Sequence, residues 1–422
     1  MTPNMALSRK QLAIGISFSI IYLVLLLLSR SRSARDPGSY FFLPEAGYRP
    51  KYSLTRVEES LRYVSGRNHS TRPLPPISSS AKAAQRVDIC VGIITAKRPF
   101  QQNLDTTMGS ILDTLSKDQR STIALQVLFA QTNPVDHPDY AQPWVSSIAD
   151  HVLTYDILDA PMSAIKRLER HRDIHRKSLL DYRLALKSCM ERTNAQWIVI
   201  LEDDVLARRD WYENTLKSLQ NIIDWRQQGR IRDWLYLRLL YTEKFLGWNS
   251  EEWPKYLTFS LLTFMAVAGT LLCARKRSRL VRELATIPFL GITCFVFLPL
   301  LIGLIFLSGR VTMRPLKPGL HVMNRYGCCT QAMVFPRDKA PLLMEHLRKM
   351  GRERISMAVD TAIEQLADEN KLDRLVLVPS QMQHVGAASY KENFKEEDWS
   401  KPYRVRGAHG VWSMSFEETY RD

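Results

Sequence analysis

The chain has 422 residues, enough for one large domain or two ordinary ones. With 45% hydrophobic and 24% charged residues it is neither a disordered acidic tail nor a collagen-like repeat, and a mean hydropathy of −0.20 excludes a polytopic transporter. Lys and Arg outnumber Asp and Glu by 58 to 43, a net charge of +15. Such a surplus usually points to nucleic acid or an anionic membrane surface; because much of it flanks apolar runs, nucleic acid is discounted.

Residues 11–29, QLAIGISFSIIYLVLLLLS, carry no charge and are about long enough to cross a bilayer as a helix. A cleaved signal peptide would have a shorter apolar core and a small-residue cleavage site. Arg30, Arg32 and Arg35 follow instead, so an uncleaved anchor behind a tail of residues 1–10 is expected. Residues 30–85 read as a stem, loose from 37 onward, with Pro73, Pro75, Pro76 and the serines at 78–80. Asn68-His69-Ser70 is a glycosylation acceptor. Order begins with a β-branched strand at 87–94. A helix at 103–115, strands at 123–130 and 151–155, a long charged helix over 162–191 and an apolar strand at 197–201 follow. This alternation predicts an α/β domain with a parallel or mostly parallel sheet.

Residues 256–273 and 286–308 are apolar and lack the polar face of an ordinary core helix. The connector 274–285 holds five basic residues and one acid, which predicts a membrane hairpin with a cytosolic loop. Pro288 and Pro299 are tolerable in a membrane helix. Parity then puts the N-terminus in the cytosol and both polar segments, up to 255 and from 309, in the secretory lumen. The charges around the first span disagree weakly, since Arg9 and Lys10 precede it and three arginines follow. Beyond the hairpin, strands are expected at 331–335 and 375–378 and helices at 340–350 and 356–369. Neither 86–255 nor 309–422 makes a closed domain alone. One domain interrupted by the hairpin is the simplest account, and two lumenal domains the other.

Glu202-Asp203-Asp204 follows the strand at 197–201 directly. Carboxylates at the carboxyl end of a buried strand sit where open α/β sheets bind ligands. Their mutual repulsion is relieved by a divalent cation with oxygen ligands, magnesium or manganese, which can also grip a diphosphate. Otherwise the acids simply start a solvated helix. After the first strand comes Thr95-Ala-Lys-Arg-Pro99, in the loop where such folds contact a nucleotide, and Arg98 there could fork onto phosphate. His384 in Gln383-His-Val-Gly386 is a further ligand candidate or a structural histidine. Asp360 heads an expected helix, as a general base or as a helix cap; Glu364, one turn later, is the reserve base. Cys328 and Cys329 either pair with each other or join different partners. Cys90 and Cys189 are the other lumenal cysteines by topology, Cys273 and Cys294 lie in the spans, and connectivity stays open.

The elements VGIITAKRP, RKSLLDYRLAL and WIVILEDDV, then ISMAVDTAI and VPSQMQHVG, occur in the order found in metal-dependent nucleotide-sugar transferases of GT-A fold. The EDD triplet and the QHVG segment also look like those of N-acetylglucosaminyltransferase IV. With a membrane hairpin inside the catalytic domain, the chain resembles the Golgi family that adds N-acetylgalactosamine to glycosylphosphatidylinositol (GPI) anchors. The resemblance covers most of 87–386 and the N-terminal anchor; the last thirty residues add little to it. It implies a GT-A-like domain split by a transmembrane hairpin, in the Golgi membrane. That domain would transfer N-acetylgalactosamine from UDP-GalNAc to a mannose of a GPI anchor, with inversion and with manganese or another divalent cation. Residue by residue, it implies that Asp203 and Asp204 contact metal and diphosphate, with Glu202 at the first acidic position. Thr95 and Arg98 would lie under the nucleotide. Asp181 and Tyr182 would lie on a helix beneath the donor, with Lys177 facing the phosphates. His384 would complete the metal site, and Asp360 would be the base. An N-glycan N-acetylglucosaminyltransferase, which has no need of a hairpin, and a non-catalytic lumenal binding protein are the rival readings. Donor choice depends on pocket shape, which short motifs do not encode.

Overall fold

The computed structural model describes residues 8–68, 87–98, 101–323, 328–353, 356–386 and 407–418. His69 and Ser70 of the glycosylation acceptor, Pro99 and the stem prolines at 73–76 lie outside them. The chain divides into two compact units: Met1–Arg49 with Glu243–Leu316, and Pro50–Thr242 with Lys317–Asp422.

The first unit carries three helices long and apolar enough to cross a membrane, Arg9–Arg32, Glu243–Arg277 and Ile287–Leu307. The most apolar stretches of the first two are nowhere buried by protein. Leu262 and Met265 are examples, at 59% and 67% exposed. Apolar surface of this extent is stable only when lipid covers it. In the third helix Thr293–Phe297 is a π-helical turn just ahead of Pro299. Proline supplies no N–H, so the preceding turn rearranges to keep its carbonyls bonded. Within this unit Gln11 Nε2 donates to the Leu284 carbonyl and to Thr286 Oγ1, both at 2.8 Å, tying the first helix to the head of the third.

The second unit is built on eight strands. They are β1 (Ile89–Thr95), β2 (Ile123–Phe129), β3 (His151–Leu153), β4 (Trp197–Glu202), β6 (Trp234–Arg238), β7 (Gly319–Val322), β8 (Ala332–Pro336) and β9 (Asp373–Val378). Their order is β3-β2-β1-β4-β8-β6-β9-β7. A separate ladder pairs β5 (Val205–Ala207) with β10 (Met382–His384). The sheet is mixed but mostly parallel, as expected: β3, β2, β1, β4, β6 and β9 run in one direction, while β8 is antiparallel to both β4 and β6, and β7 to β9.

Successive side chains of a strand face opposite sides, and both faces are covered. Ile89, Val91 and Ile93 of β1, with Trp197, Val199 and Leu201 of β4, join one core with Met108 and Trp211. Cys90, Ile198 and Ile200 join the other, with Leu179, Leu186, Leu343 and Ile363. This two-sided burial explains why β1, β2 and β4 are continuous apolar runs. A disulfide joins Cys90 to Cys189 on the second face, and another joins Cys328 to Cys329.

Two expected elements differ. The helix over 162–191 is two helices, Met162–Arg170 and Ile174–Arg192, separated at Arg172, whose φ is +51°. The loose stretch from 37 contains the helix Tyr52–Asn68, packed in the second unit. Buried Arg56 bonds the Ala207 carbonyl of β5 and the Asp113 carboxylate. Gly109 is what lets this helix approach Leu104–Leu112: a Cβ there would lie 2.4 Å from Ser60 Oγ.

Candidate active site

From β1 the chain winds outward through β2 to β3, then returns to place β4 on the other side of β1. Open α/β sheets bind ligands at such a reversal, outside the carboxyl ends of the strands. The loops after β1 and β4 flank that crevice, and they carry Thr95, Arg98 and the EDD triplet.

Thr95 Oγ1 donates to Asp203 Oδ2 at 2.6 Å. The Arg98 guanidinium bonds Asp203 Oδ1 through Nε and Nη2, and its Nη2 lies 2.8 Å from Asp204 Oδ2. Burial works against the Arg98 charge, but Asp204, Asp203 and Glu202 outweigh it and raise its pKa above the usual arginine value. Burial also raises the Asp203 carboxyl, with Arg98 pulling against it.

The β5–β10 ladder sets Val205 opposite His384. His384 Nε2 thereby reaches Asp204 Oδ2 at 3.0 Å, and the Val385 N–H donates to the Asp204 carbonyl at 2.9 Å. Gly386 closes over the same carboxylate; a Cβ there would lie 2.2 Å from Asp204 Oδ2. Gly386→Ala is therefore expected to displace the Asp204 side chain and lower turnover about 10²-fold, as misplacement by an ångström can. Melting temperatures measured beside the rates separate this from unfolding, and a variant of wild-type rate would remove the Gly386 contact from the site.

The donor set at this point fits a manganese-like ion: a buried carboxylate and an imidazole 3.0 Å apart. When ionised, three carboxylates here face one guanidinium, and a divalent cation would balance the excess. Asp204 and His384 would be the protein groups to hold such an ion, which commonly keeps other positions for substrate oxygens and water. Cys328, Cys329 and Asp360 also cluster within 4.8 Å, but disulfide sulfur offers no thiolate to a metal.

The helix beneath the crevice behaves differently from expectation. Lys177 Nζ donates to the Ala130 carbonyl at 2.6 Å and to Tyr155 Oη and Asp181 Oδ2 at 2.8 Å each. Tyr155 Oη donates to Asp181 Oδ1 at 2.6 Å. An ammonium has three donors; here two reach the residues that follow β2 and β3 and the third reaches Asp181, one turn along the same helix, which leaves none for a phosphate. Tyr182 is buried against Phe335, and burial holds its hydroxyl well above the ordinary tyrosine pKa. Lys177, Asp181 and Tyr182 support the crevice from below.

On the far side of the triplet, Glu202 Oε1 accepts from Thr330 Oγ1 at 2.9 Å, and the Cys329 N–H donates to Asp360 Oδ2 at 3.3 Å. Residues 328–330 thus connect the EDD triplet to Asp360. Asp360 is the second residue of the helix Val359–Glu369, whose N-cap is Ala358, so it is not the cap. Glu364 is held by Tyr236 Oη at 2.5 Å, Arg238 Nη2 at 3.0 Å and Arg374 Nε at 2.5 Å. Burial raises the Glu364 carboxyl pKa against the pull of Arg238 and Arg374, and its two oxygens are already engaged by Tyr236 and the two guanidiniums, which sets Glu364 aside.

The family model of GPI-N-acetylgalactosamine transferase PGAP4 matches residues 89–383. The chain belongs to this family. None of the curated proteins compared with the chain matches it significantly. PGAP4-family membership makes it a glycosyltransferase that acts on GPI anchors, and its three apolar helices make it a membrane protein. The match runs from the first residue of β1 into β10 and includes every candidate residue except His384, one position beyond it.

Two residues of this PGAP4-family site went unnoticed in the sequence. Arg238 ends β6 and bonds both the Cys329 carbonyl and Glu364, fixing the loop that reaches Asp360. His137 is the other. Its Nδ1 accepts the Asp139 N–H at 3.1 Å, so Nε2 carries the proton and donates to Thr95 Oγ1 at 2.9 Å. Thr95 Oγ1 in turn donates a hydrogen bond to Asp203, and the chain of bonds orients that carboxylate. A lone histidine in a loop carries no sequence signal for this.

Burial, then Arg98 and Lys97, lower His137 to about 4, while burial, Asp105 and Asp203 push Asp139 up to about 6. A depressed histidine stabilises the fold above its unfolded pKa, and that contribution is lost as pH falls from about 6.5 through 4. Asp139 acts oppositely, favouring the fold below the ordinary carboxyl pKa and losing that contribution as pH rises through 6. His137→Gln removes only the first effect. The variant is expected to gain on the wild type by on the order of 2 kcal/mol as pH falls across that window. Thermal midpoints measured across pH read the difference, and a pH-independent gap would contradict the neutral assignment of His137.

Proposed function

We propose that the protein is a Golgi glycosyltransferase with a GT-A-like lumenal domain, which moves N-acetylgalactosamine from UDP-GalNAc to a mannose of a GPI anchor with inversion. The convergence of the EDD triplet with Thr95, Arg98 and His384 at the strand reversal carries this reading. Arg98 would donate to the diphosphate. Asp204 and His384 would hold manganese or another divalent cation, with Asp203 and Glu202 completing the acidic environment. Bound there, the ion would neutralise charge developing on the departing UDP. Asp360 would take the proton of the acceptor hydroxyl as its oxygen bonds to the anomeric carbon and the bond from that carbon to UDP breaks.

The three spans would place the N-terminus in the cytosol and the catalytic domain in the lumen, the loop 274–285 being cytosolic. A catalytic domain tied by its own chain to membrane helices meets a lipid-linked acceptor in two dimensions rather than three. Replacing residues 256–308 with a soluble linker should therefore cost activity on membrane-anchored acceptors and spare soluble glycan mimics; equal losses on both would mean that the hairpin only supports the fold.

The decisive experiment is glycan mass spectrometry of GPI anchors from cells with and without the protein, beside metal-dependent UDP-GalNAc hydrolysis by the purified full chain. The expected result is loss of an N-acetylhexosamine branch from the anchor. Unchanged anchors with altered N-glycan branching would overturn the reading, and absence of any UDP-sugar hydrolysis would favour a binding protein.

A further inference from the structure

Residues of the helices Met162–Arg170, Ile174–Arg192 and Ala340–Met350 line a second cavity of about 750 Å³, within the usual size range of small-ligand sites. Its lining combines leucines with Arg167, His171, Arg176, Arg183, Arg348 and Arg352. Arg176 is paired with Asp173 at 2.7 Å, and Arg348 with Glu345. Arg167, Arg183 and Arg352 make no ion pair among the described residues.

Cations near helix carboxyl ends are ordinary, because they complement the helix dipole. That explains Arg167 and Arg348, which lie in the last turns of their helices. It does not explain Arg183, in the middle of Ile174–Arg192, which feels the charges of Arg348 and Arg352 against the single carboxylate of Glu345, itself paired with Arg348. Like charges brought together around a cavity are stable when an anion joins them. Guanidinium forks match phosphate oxygens two at a time. The rim is also bonded to the segment leading to Asp360: Arg176 Nη2 donates to the Glu353 carbonyl at 2.7 Å, and Ser356 Oγ to Asp173 Oδ1 at 3.2 Å.

We propose that this cavity binds a phosphodiester of the GPI acceptor and so positions the glycan relative to Asp360, an inference that rests on the transferase reading above. The phosphate is an intrinsic part of any phosphatidylinositol, and a neutral glycan acceptor lacks it.

The test is calorimetric titration of the detergent-solubilised full chain with glycerophosphoinositol, inorganic phosphate and myo-inositol, for the wild type, Arg183→Gln and Arg352→Gln. Glycerophosphoinositol should bind more tightly than either fragment, and the binding should weaken with added salt. Each substitution should weaken it about tenfold, the worth of one charge-assisted bond. UDP-GalNAc hydrolysis should be unchanged in both variants. The Arg183→Gln midpoint of melting should hold or rise, since repulsion is relieved. A purely structural role predicts a lower midpoint with binding untouched, which would overturn the proposal; Arg352, exposed after its helix, provides the same test without burial. Equal binding of inorganic phosphate would overturn the acceptor assignment, and so would equal binding of inositol. The two readings fail separately. A wrong transferase reading removes hydrolysis and leaves the titration dependent on Arg183 and Arg352, whereas a wrong cavity assignment leaves hydrolysis intact and abolishes that dependence.

Discussion

Asp360→Asn is expected to lower transfer about 10²–10⁴-fold, the usual worth of general-base assistance, with UDP and metal binding almost unchanged. The substitution keeps the shape and removes the basic carboxylate. Asp360 Oδ1 accepts the Thr361 N–H and Oδ2 the Cys329 N–H. Asn has a single carbonyl oxygen, so one of these weak bonds is lost at a cost of about 1 kcal/mol. That is too little to unfold the domain. Glu364→Gln should behave in the opposite way. It breaks the buried pairing with Arg238 and Arg374, which costs on the order of 3 kcal/mol of stability, and it should slow chemistry only through the displaced loop. Transfer rates, UDP affinity and melting midpoints on the two variants separate these roles. An Asp360→Asn enzyme within a few-fold of the wild-type rate would take Asp360 out of the mechanism.

Asp204→Ala should abolish both transfer and donor hydrolysis, a loss of at least about 10²-fold by comparison with removal of a single transition-state charge stabiliser. The substitution removes the oxygen that Arg98 and His384 share. Arg98 keeps Asp203 as its partner, and the β5–β10 ladder keeps its backbone bonds, so the domain should stay folded. Metal-dependent UDP binding should weaken, and excess manganese should restore part of it through His384 and Asp203. Near-normal UDP affinity in the presence of metal would count against the EDD assignment.

The clamp on the QHVG segment shows how far the site depends on distant chain. Gln383 Nε2 donates to the Ser413 carbonyl and to Glu417 Oε1, both at 2.9 Å. Glu417 Oε2 in turn accepts the Lys51 N–H at 2.7 Å, at the head of the helix Tyr52–Asn68. The C-terminal residues and part of the presumed stem therefore help to hold β10 against β5. No motif in either segment announced this, because the contact between Lys51 and Glu417 joins residues 366 positions apart.

What the sequence determined by itself was whatever is encoded locally. The three apolar runs were legible because crossing a bilayer needs only length and an absence of charge. Strands β1, β2 and β4 were legible because burial on both faces makes them continuously apolar, and Ala340–Met350 because its apolar residues recur at helical spacing. The EDD triplet was legible as the end of such a strand. Strand β6, WLYLR, was missed because buried Arg238 at its end breaks the apolar run that continues through Leu239 and Leu240, and β5 and β10 because three residues are too few to show a period. Tertiary structure decided the rest. Asp360 and Glu364 are both acids on one helix, one turn apart, and nothing local distinguishes them. They differ because β6 and β9 aim Arg238 and Arg374 at Glu364, while Asp360 accepts the backbone N–H groups of Cys329 and Thr361. Likewise, His384 meets Asp204 across 180 positions because an antiparallel ladder fixes their register, and pairing between distant strands is a property of the whole sheet rather than of either segment.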